Sequence, residues 1–181
     1  NKDDADYPFA FLATYATKSD DGKVRHVPLR YALTEYKGKR DKLLEHLSCL
    51  NKAAEVSGLI AGFMESGELF HPLRLTTQEA YTFLRQIEDI EKTGILCRIP
   101  NWWRKRASVV SMSVSLGEDR PSVLGFDSIV SMQPRLVVDG IPLTQADIRR
   151  LLSETEGLAF LKGKWVEVDH ERLRKLLKQM E

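Results

Sequence analysis

The chain has two cysteines in 181 residues, Cys49 and Cys97, in different segments. With no CxxC pair and no flanking histidine they cannot build a zinc site alone. They read as small buried hydrophobes in a reducing cytoplasm. No apolar run reaches the roughly 18 residues a membrane span requires. The N-terminus carries Lys2, Asp3 and Asp4 with no apolar segment behind a basic one, so it does not read as a signal peptide. An Asn1 start is expected of a piece cut from a larger protein. There is no internal repeat and no low-complexity stretch. Excess charge of either sign is also missing: the net charge of +1 neither demands nor excludes a polyanionic partner, so only its distribution can inform. What remains, 43% hydrophobic and 29% charged, is the composition of a soluble globular domain.

Catalytic patterns are missing too. A phosphate-cradling GxxxxGK[ST] loop is not present. The Gly-Lys pairs Gly22-Lys23, Gly38-Lys39 and Gly163-Lys164 have neither the preceding glycine nor the following Ser/Thr. No GxSxG marks a nucleophile elbow. His26, His46, His71 and His170 are scattered, without HxxxH or HxH spacing, and each reads as a structural polar residue. Glu88, Asp89 and Glu91 cluster near a helix end, where a solvated face is a better account than a metal site. The expectation is a fragment without catalytic residues, cofactor or metal.

The patterns present are those of an α+β fold mixing helices with antiparallel strands. An opening β-hairpin is expected, with 9–17 and 24–31 extended around Lys18-Ser19-Asp20-Asp21-Gly22. Pro28 places its second strand at an edge or near its end. Leu43, Leu44, Leu47 and Leu50 share a helical face within 39–64, interrupted by Gly58 and Gly62. Thr76 with Glu79 makes a capping box for a helix carrying Ala80, Phe83, Leu84, Ile87 and Ile90 and closing at Gly94. Short strands are expected at 95–99, 109–116, 123–132 and 136–138. A small helix–hairpin–helix closes the chain. It comprises a helix from Thr144 to Leu152, strands 158–161 and 165–168 around Lys162-Gly163-Lys164, and an Asp169-capped amphipathic helix. A single domain over 1–181 is expected, with sub-lobes 1–116 and 122–181 on either side of Gly117-Glu118-Asp119-Arg120-Pro121.

The most informative local cluster is Arg98-Ile99-Pro100-Asn101-Trp102-Trp103-Arg104-Lys105-Arg106, four cations and two indoles in nine residues. Cations neutralise phosphates with release of counterions, and indoles stack on unpaired bases. Arg98, Trp102, Trp103, Arg104, Lys105 and Arg106 are therefore the candidate nucleic-acid contacts. The competing account is a structural anchor, with the indoles covering the edge of a core and the cations in water. A second basic region, Lys162, Lys164, Arg172, Arg174, Lys175 and Lys178, is diluted by Glu167, Asp169, Glu171 and Glu181. It reads as a solvated amphipathic surface.

Three stretches together carry a resemblance. They are Phe11-Leu12-Ala13-Thr14-Tyr15 with His26-Val27-Pro28-Leu29; Ile95 to Arg104 around Ile99-Pro100-Asn101-Trp102-Trp103; and Leu124-Gly125-Phe126-Asp127 through Leu143-Thr144 to Leu161-Lys162-Gly163-Lys164-Trp165-Val166-Glu167-Val168-Asp169. In order and spacing they resemble the accessory domain N-terminal to the ATPase motor of bacterial Swi/Snf-family helicases. The last stretch is the most specific, being similar to a recurrent L-R-G-R-W-V-x-x-D. The resemblance implies a parent that hydrolyses ATP to translocate on double-stranded DNA. ATP and Mg²⁺ are then expected only in the motor, and no catalytic residue is carried over. It leaves two roles open: an accessory or regulatory domain that assists DNA engagement or gates the motor, or an interaction module that recruits another protein. The expected partners are the motor of the same chain and either duplex DNA or that protein.

Overall fold

The computed structural model describes residues 6–38, 40–104, 108–116, 132–154 and 156–180. The chain forms two compact units, Asn1–Ile99 and Pro100–Glu181.

In the first unit, β2 (Thr14–Lys18) and β3 (Val24–Pro28) form the expected antiparallel hairpin, turning through Gly22 at φ +76°. The preceding apolar stretch does not continue it. β1 (Phe9–Phe11) pairs instead with β4 (Leu73–Leu75), Phe9 opposite Leu75. This places Phe11 edge-on to Phe83 at 5.2 Å and beside Phe63 at 6.1 Å. The reward for splitting the strand is a long-range aromatic contact, which local periodicity does not register.

After the short α1 (Ala32–Glu35), α2 (Arg40–Val56) and α3 (Gly58–Glu65) divide at Ser57. Ser57 leaves the helical region (φ −135°, ψ 105°), and its hydroxyl accepts the Ile60 N–H at 3.3 Å. It is wholly buried, so this cap also satisfies its own polar group. Gly62, expected to interrupt the helix, lies inside α3.

Helix α4 (Thr77–Lys92) has the capping box expected of Thr76 and Glu79, and it buries Ala80, Leu84, Ile87 and Ile90 along one face. Gly94 follows at φ +96°. Residues 95–99 are not a strand. The Cys97 N–H is satisfied by the Glu91 carboxylate at 3.2 Å rather than by a sheet partner. One core gathers Tyr15, Leu29, Ala32, Tyr36 and Leu69. The Tyr15 hydroxyl donates to Glu35, and burial followed by the Glu35 carboxylate raises its pKa.

The second unit runs α5 (Asn101–Arg104), β5 (Ser108–Leu116), β6 (Met132–Val138), β7 (Ile141–Pro142), α6 (Gln145–Ser153), β8 (Gly157–Leu161), β9 (Lys164–Val168) and α7 (His170–Lys178). One five-stranded sheet holds them in the order β7-β6-β5-β9-β8. Its pairings are antiparallel except that β9 lies parallel to β5, with Val109 opposite Glu167. The parallel pairing was not expected. It arises because α6 carries the chain across the sheet before β8 and β9 return as a hairpin on the free edge of β5.

β6 also runs through Pro134, where a break was expected. β7 pairs only with Val137 and Val138, so Pro134 needs no donor on that side among the described residues. The units divide at Ile99/Pro100, ahead of the 117–121 loop, because β5 is hydrogen-bonded to β6 and β9. That loop and the strand expected at 123–132, except Met132 at the start of β6, lie outside the described residues.

One face of this sheet packs Val110, Leu136, Val138, Ala159, Leu161, Val166 and Val168 against Ile148 and Leu151 of α6 and Leu173 of α7. Both helices start on side-chain caps. Asp169 accepts the Arg172 N–H at 2.9 Å. His170 Nε2 donates to the Leu151 carbonyl at 2.9 Å, tying α7 to α6.

Thr144 and Asp147 form a reciprocal box. Its donors, together with the Lys162 ammonium at 3.1 Å, hold the Asp147 carboxyl down at about 2. A carboxylate depressed in the folded state contributes stability above its unfolded pKa of about 4 and loses it as pH falls through the folded value. The thermal midpoint of Asp147→Ala is therefore expected below that of the parent chain at pH 7, and the gap should close between pH 4 and 2. A gap that persists at pH 2 contradicts this account; thermal unfolding followed by circular dichroism measures it.

Candidate nucleic-acid interface

The sheet's second face is where the indoles of the sequence cluster lie. Alternation along β9 sends Val166 and Val168 into the helix-packed core and Trp165 and Glu167 to the opposite side. Trp165 faces its cross-strand partner Phe160 on β8, with ring centroids 5.3 Å apart. Helix α5 lays Trp102 over Trp165, stacked at 6.4 Å and 27°. Trp103 meets Trp102 edge-on at 6.1 Å. The Trp103 N–H, donating to the Pro100 carbonyl, sets the start of this single helical turn. All three indoles are half-buried, and Phe160 is 36% exposed.

The two predicted tryptophans are thus together, and each is committed to a ring contact. Of the predicted cations, Arg104 is the last residue of α5, and Lys105 and Arg106 lie outside the described residues. Arg98 belongs to the first unit, where its guanidinium sits 2.9 Å from His26 Nε2. The sequence reading missed Trp165 and Phe160 as members of the aromatic group. The alternation in Lys164-Trp165-Val166-Glu167-Val168 is the signal that separates Trp165 from the buried valines.

Three of the six cations of the second basic region are paired with acids within the fold. Lys162 pairs with Asp147 at 3.1 Å, Lys164 with Asp139 at 2.9 Å and Lys175 with Glu171 at 2.6 Å. Exposed pairs of this kind add little stability, but they remove those ammonium groups from any uncompensated patch.

The acidic cluster on α4 is likewise engaged, Asp89 with Lys92 at 2.7 Å and Glu91 with the Cys97 amide. Among the described residues no three His, Cys, Asp or Glu side chains are grouped as metal ligands. Burial, and secondarily the Glu91 charge, push the Cys97 thiol up to about 11, away from the thiolate a nucleophile needs. Cys97 is buried and Cys49 half-buried, both as free thiols. A small cleft between Val109, Glu167 and Arg172 includes Asp169, whose carboxylate is occupied as the α7 cap.

Residues 68–181 match the model of a domain family described as "SNF2 Helicase protein". The chain belongs to this family. The match takes in β4, α4 and the whole second unit, and leaves the β2–β3 hairpin outside it. The chain is also similar, at 25% identity over 111 residues, to a Bacillus subtilis (strain 168) protein named "Putative ATP-dependent helicase/translocase YwqA". The aligned part is 59% of this chain and 12% of that protein, so the chain spans a small fraction of its relative. No solved structure matches the chain. Among the described residues no helix is long and apolar enough to cross a membrane.

The segment most specific to the family resemblance, Leu161 to Asp169, is a structural unit throughout. Leu161, Val166 and Val168 are core residues, Lys162 and Gly163 turn at φ +51° and +81°, Trp165 holds Trp102, and Asp169 caps α7. The resemblance is thus carried by residues that specify the hairpin and what packs on it. If the indole stack fastens α5 to the sheet, a double-mutant cycle of Trp102→Ala and Trp165→Ala should return a coupling of about 1 kcal/mol in urea unfolding. Strict additivity would show that the stack adds nothing beyond each ring's own burial.

Proposed function

We propose that the chain is a non-catalytic accessory domain of an ATP-dependent SNF2-type translocase, assisting the motor's engagement of duplex DNA. ATP and Mg²⁺ belong to the motor in this reading, since no GxxxxGK[ST] loop stands in this chain to cradle phosphates. The observation that carries the reading is the Trp102–Trp165 stack. It fixes α5 to the sheet, and Arg104-Lys105-Arg106 follows Trp103 directly in sequence. Cations anchored at their root lose less freedom on meeting a phosphate backbone than cations on a free loop. This joins the two accounts of the cluster, because stacking among the tryptophans leaves the contacting role to the cations.

A second reading has specific support. Leu96 is 72% exposed, and Leu12, Leu44 and Val56 are each exposed by more than 40% in the first unit. Where such side chains are contiguous they favour a protein partner, either the motor of the same chain or a recruited component.

Charge reversal separates the two. In the full-length parent, Arg104→Glu, Lys105→Glu and Arg106→Glu together should raise the DNA concentration for half-maximal ATPase stimulation about tenfold or more at low salt, with DNA-independent ATPase unchanged. An unchanged DNA dependence removes the basic run from the DNA path and favours the protein-partner reading.

A further inference from the structure

We propose that the outer face of the β2–β3 hairpin is a second contact for the phosphate backbone of duplex DNA, built by Lys18, His26 and Arg98. The inference rests on the DNA-engaging reading above, but on residues far from the 104–106 run in sequence.

The hairpin register puts Thr14, Ala16 and Lys18 on one face with Val24 and His26. All five are exposed. The opposite face turns Tyr15 into the core of the first unit, so the outer face is the one left to solvent. Onto it the segment after α4 brings Arg98, whose Nη2 lies 2.9 Å from His26 Nε2.

The pairing of a guanidinium with an imidazole is the telling feature. A structural arginine is ordinarily matched to a carboxylate, which cancels its charge. Here the partner is a ring nitrogen acting as acceptor. Among the described residues no carboxylate is paired with Arg98, so its charge is not cancelled there, and with Nε2 as the acceptor His26 carries its proton on Nδ1.

None of the strand residues on this face, Thr14, Ala16, Lys18, Val24, His26 and Pro28, is a carboxylate. Asp21, at the tip, is already bonded to Lys23 at 3.3 Å, and Glu35 takes the Tyr15 and Thr17 hydroxyls. Lys18 and His26 are diagonal neighbours across the hairpin, a relation that sets side chains about 7–8 Å apart. That is comparable with the separation of neighbouring phosphates on one strand. Thr14 and Ala16, both small and exposed, keep the strand between these cations low, a strip suited to a rod-shaped polyanion. The occupant with that shape and regular charge is duplex DNA rather than an acidic peptide.

The test is fluorescence anisotropy of a labelled duplex titrated with the full 181-residue chain over a range of salt, beside Lys18→Gln/His26→Gln/Arg98→Gln. All three side chains are exposed, and circular dichroism verifies that the variant keeps its fold. The parent chain should bind with an affinity that falls linearly on a log–log salt plot. The triple variant should lose about 2 from that slope, roughly one per lost phosphate contact, and weaken at least tenfold at low salt. A parent that binds and a variant with an unchanged slope overturn the hairpin site while leaving the DNA-engaging reading intact. A parent that binds no duplex at low salt overturns that reading itself. Binding that is tighter to single-stranded DNA or to an acidic peptide overturns the choice of duplex as occupant.

Discussion

Strand β9 holds the second unit together. It is hydrogen-bonded to β8 on one side and to β5 on the other, so that among the described residues it joins the C-terminal hairpin to the β7-β6-β5 meander. Its side chains serve both faces. Val166 and Val168, 0% and 2% exposed, fill the core beneath α6 and α7, while Trp165 receives Trp102 on the far side. A one-residue slip would exchange the two sets, putting an indole among the packed aliphatics and two valines in place of the stack. The tight turn at Lys162-Gly163, with both residues at positive φ, fixes the register from one end. Asp169, capping α7 immediately after the strand, fixes it from the other. The family-like segment therefore coincides with the element on which the unit's architecture depends.

Much of this was legible in the chain because it is governed by local rules. Thr76 with Glu79 and Thr144 with Asp147 announce their helices through capping chemistry. The β2–β3 and β8–β9 hairpins are announced by their turns. Features set by distant partners were not legible. Phe9–Phe11 pairs with residues more than sixty positions on, and β9 aligns parallel to a strand that enters from the other side of the sheet. Residues 95–99 have the apolar content of a strand, but their described amide partner is the Glu91 side chain. The candidate site divides the same way. The basic–aromatic cluster was visible as a run, but Trp102 stacks on Trp165, and Arg98 turns toward His26 seventy-two residues earlier in the chain. Neither partner can be read from spacing within the cluster.

A near-neutral net charge conceals an uneven distribution. Lys162 and Lys164 of the β8–β9 hairpin and Lys175 of α7 are matched to acids, whereas Arg98 meets the His26 ring, and the proposed polyanion contacts draw on Lys18, His26, Arg98 and the 104–106 run. Weak phosphate contacts from each of two places, joined in one chain, can raise affinity for a long duplex well beyond either alone when geometry permits both to engage. Such an arrangement suits a domain that accompanies a motor moving along DNA. In the proposed role it would grip through the backbone, indifferent to sequence, and yield to salt.

The most direct measurement is the DNA-stimulated ATPase activity of the full-length parent compared with a version lacking this 181-residue segment. The account predicts that the shortened protein retains its DNA-independent hydrolysis but needs at least tenfold more DNA for half-maximal stimulation at low salt. Identical DNA dependence in the two proteins would contradict the central claim that this domain takes part in engaging DNA.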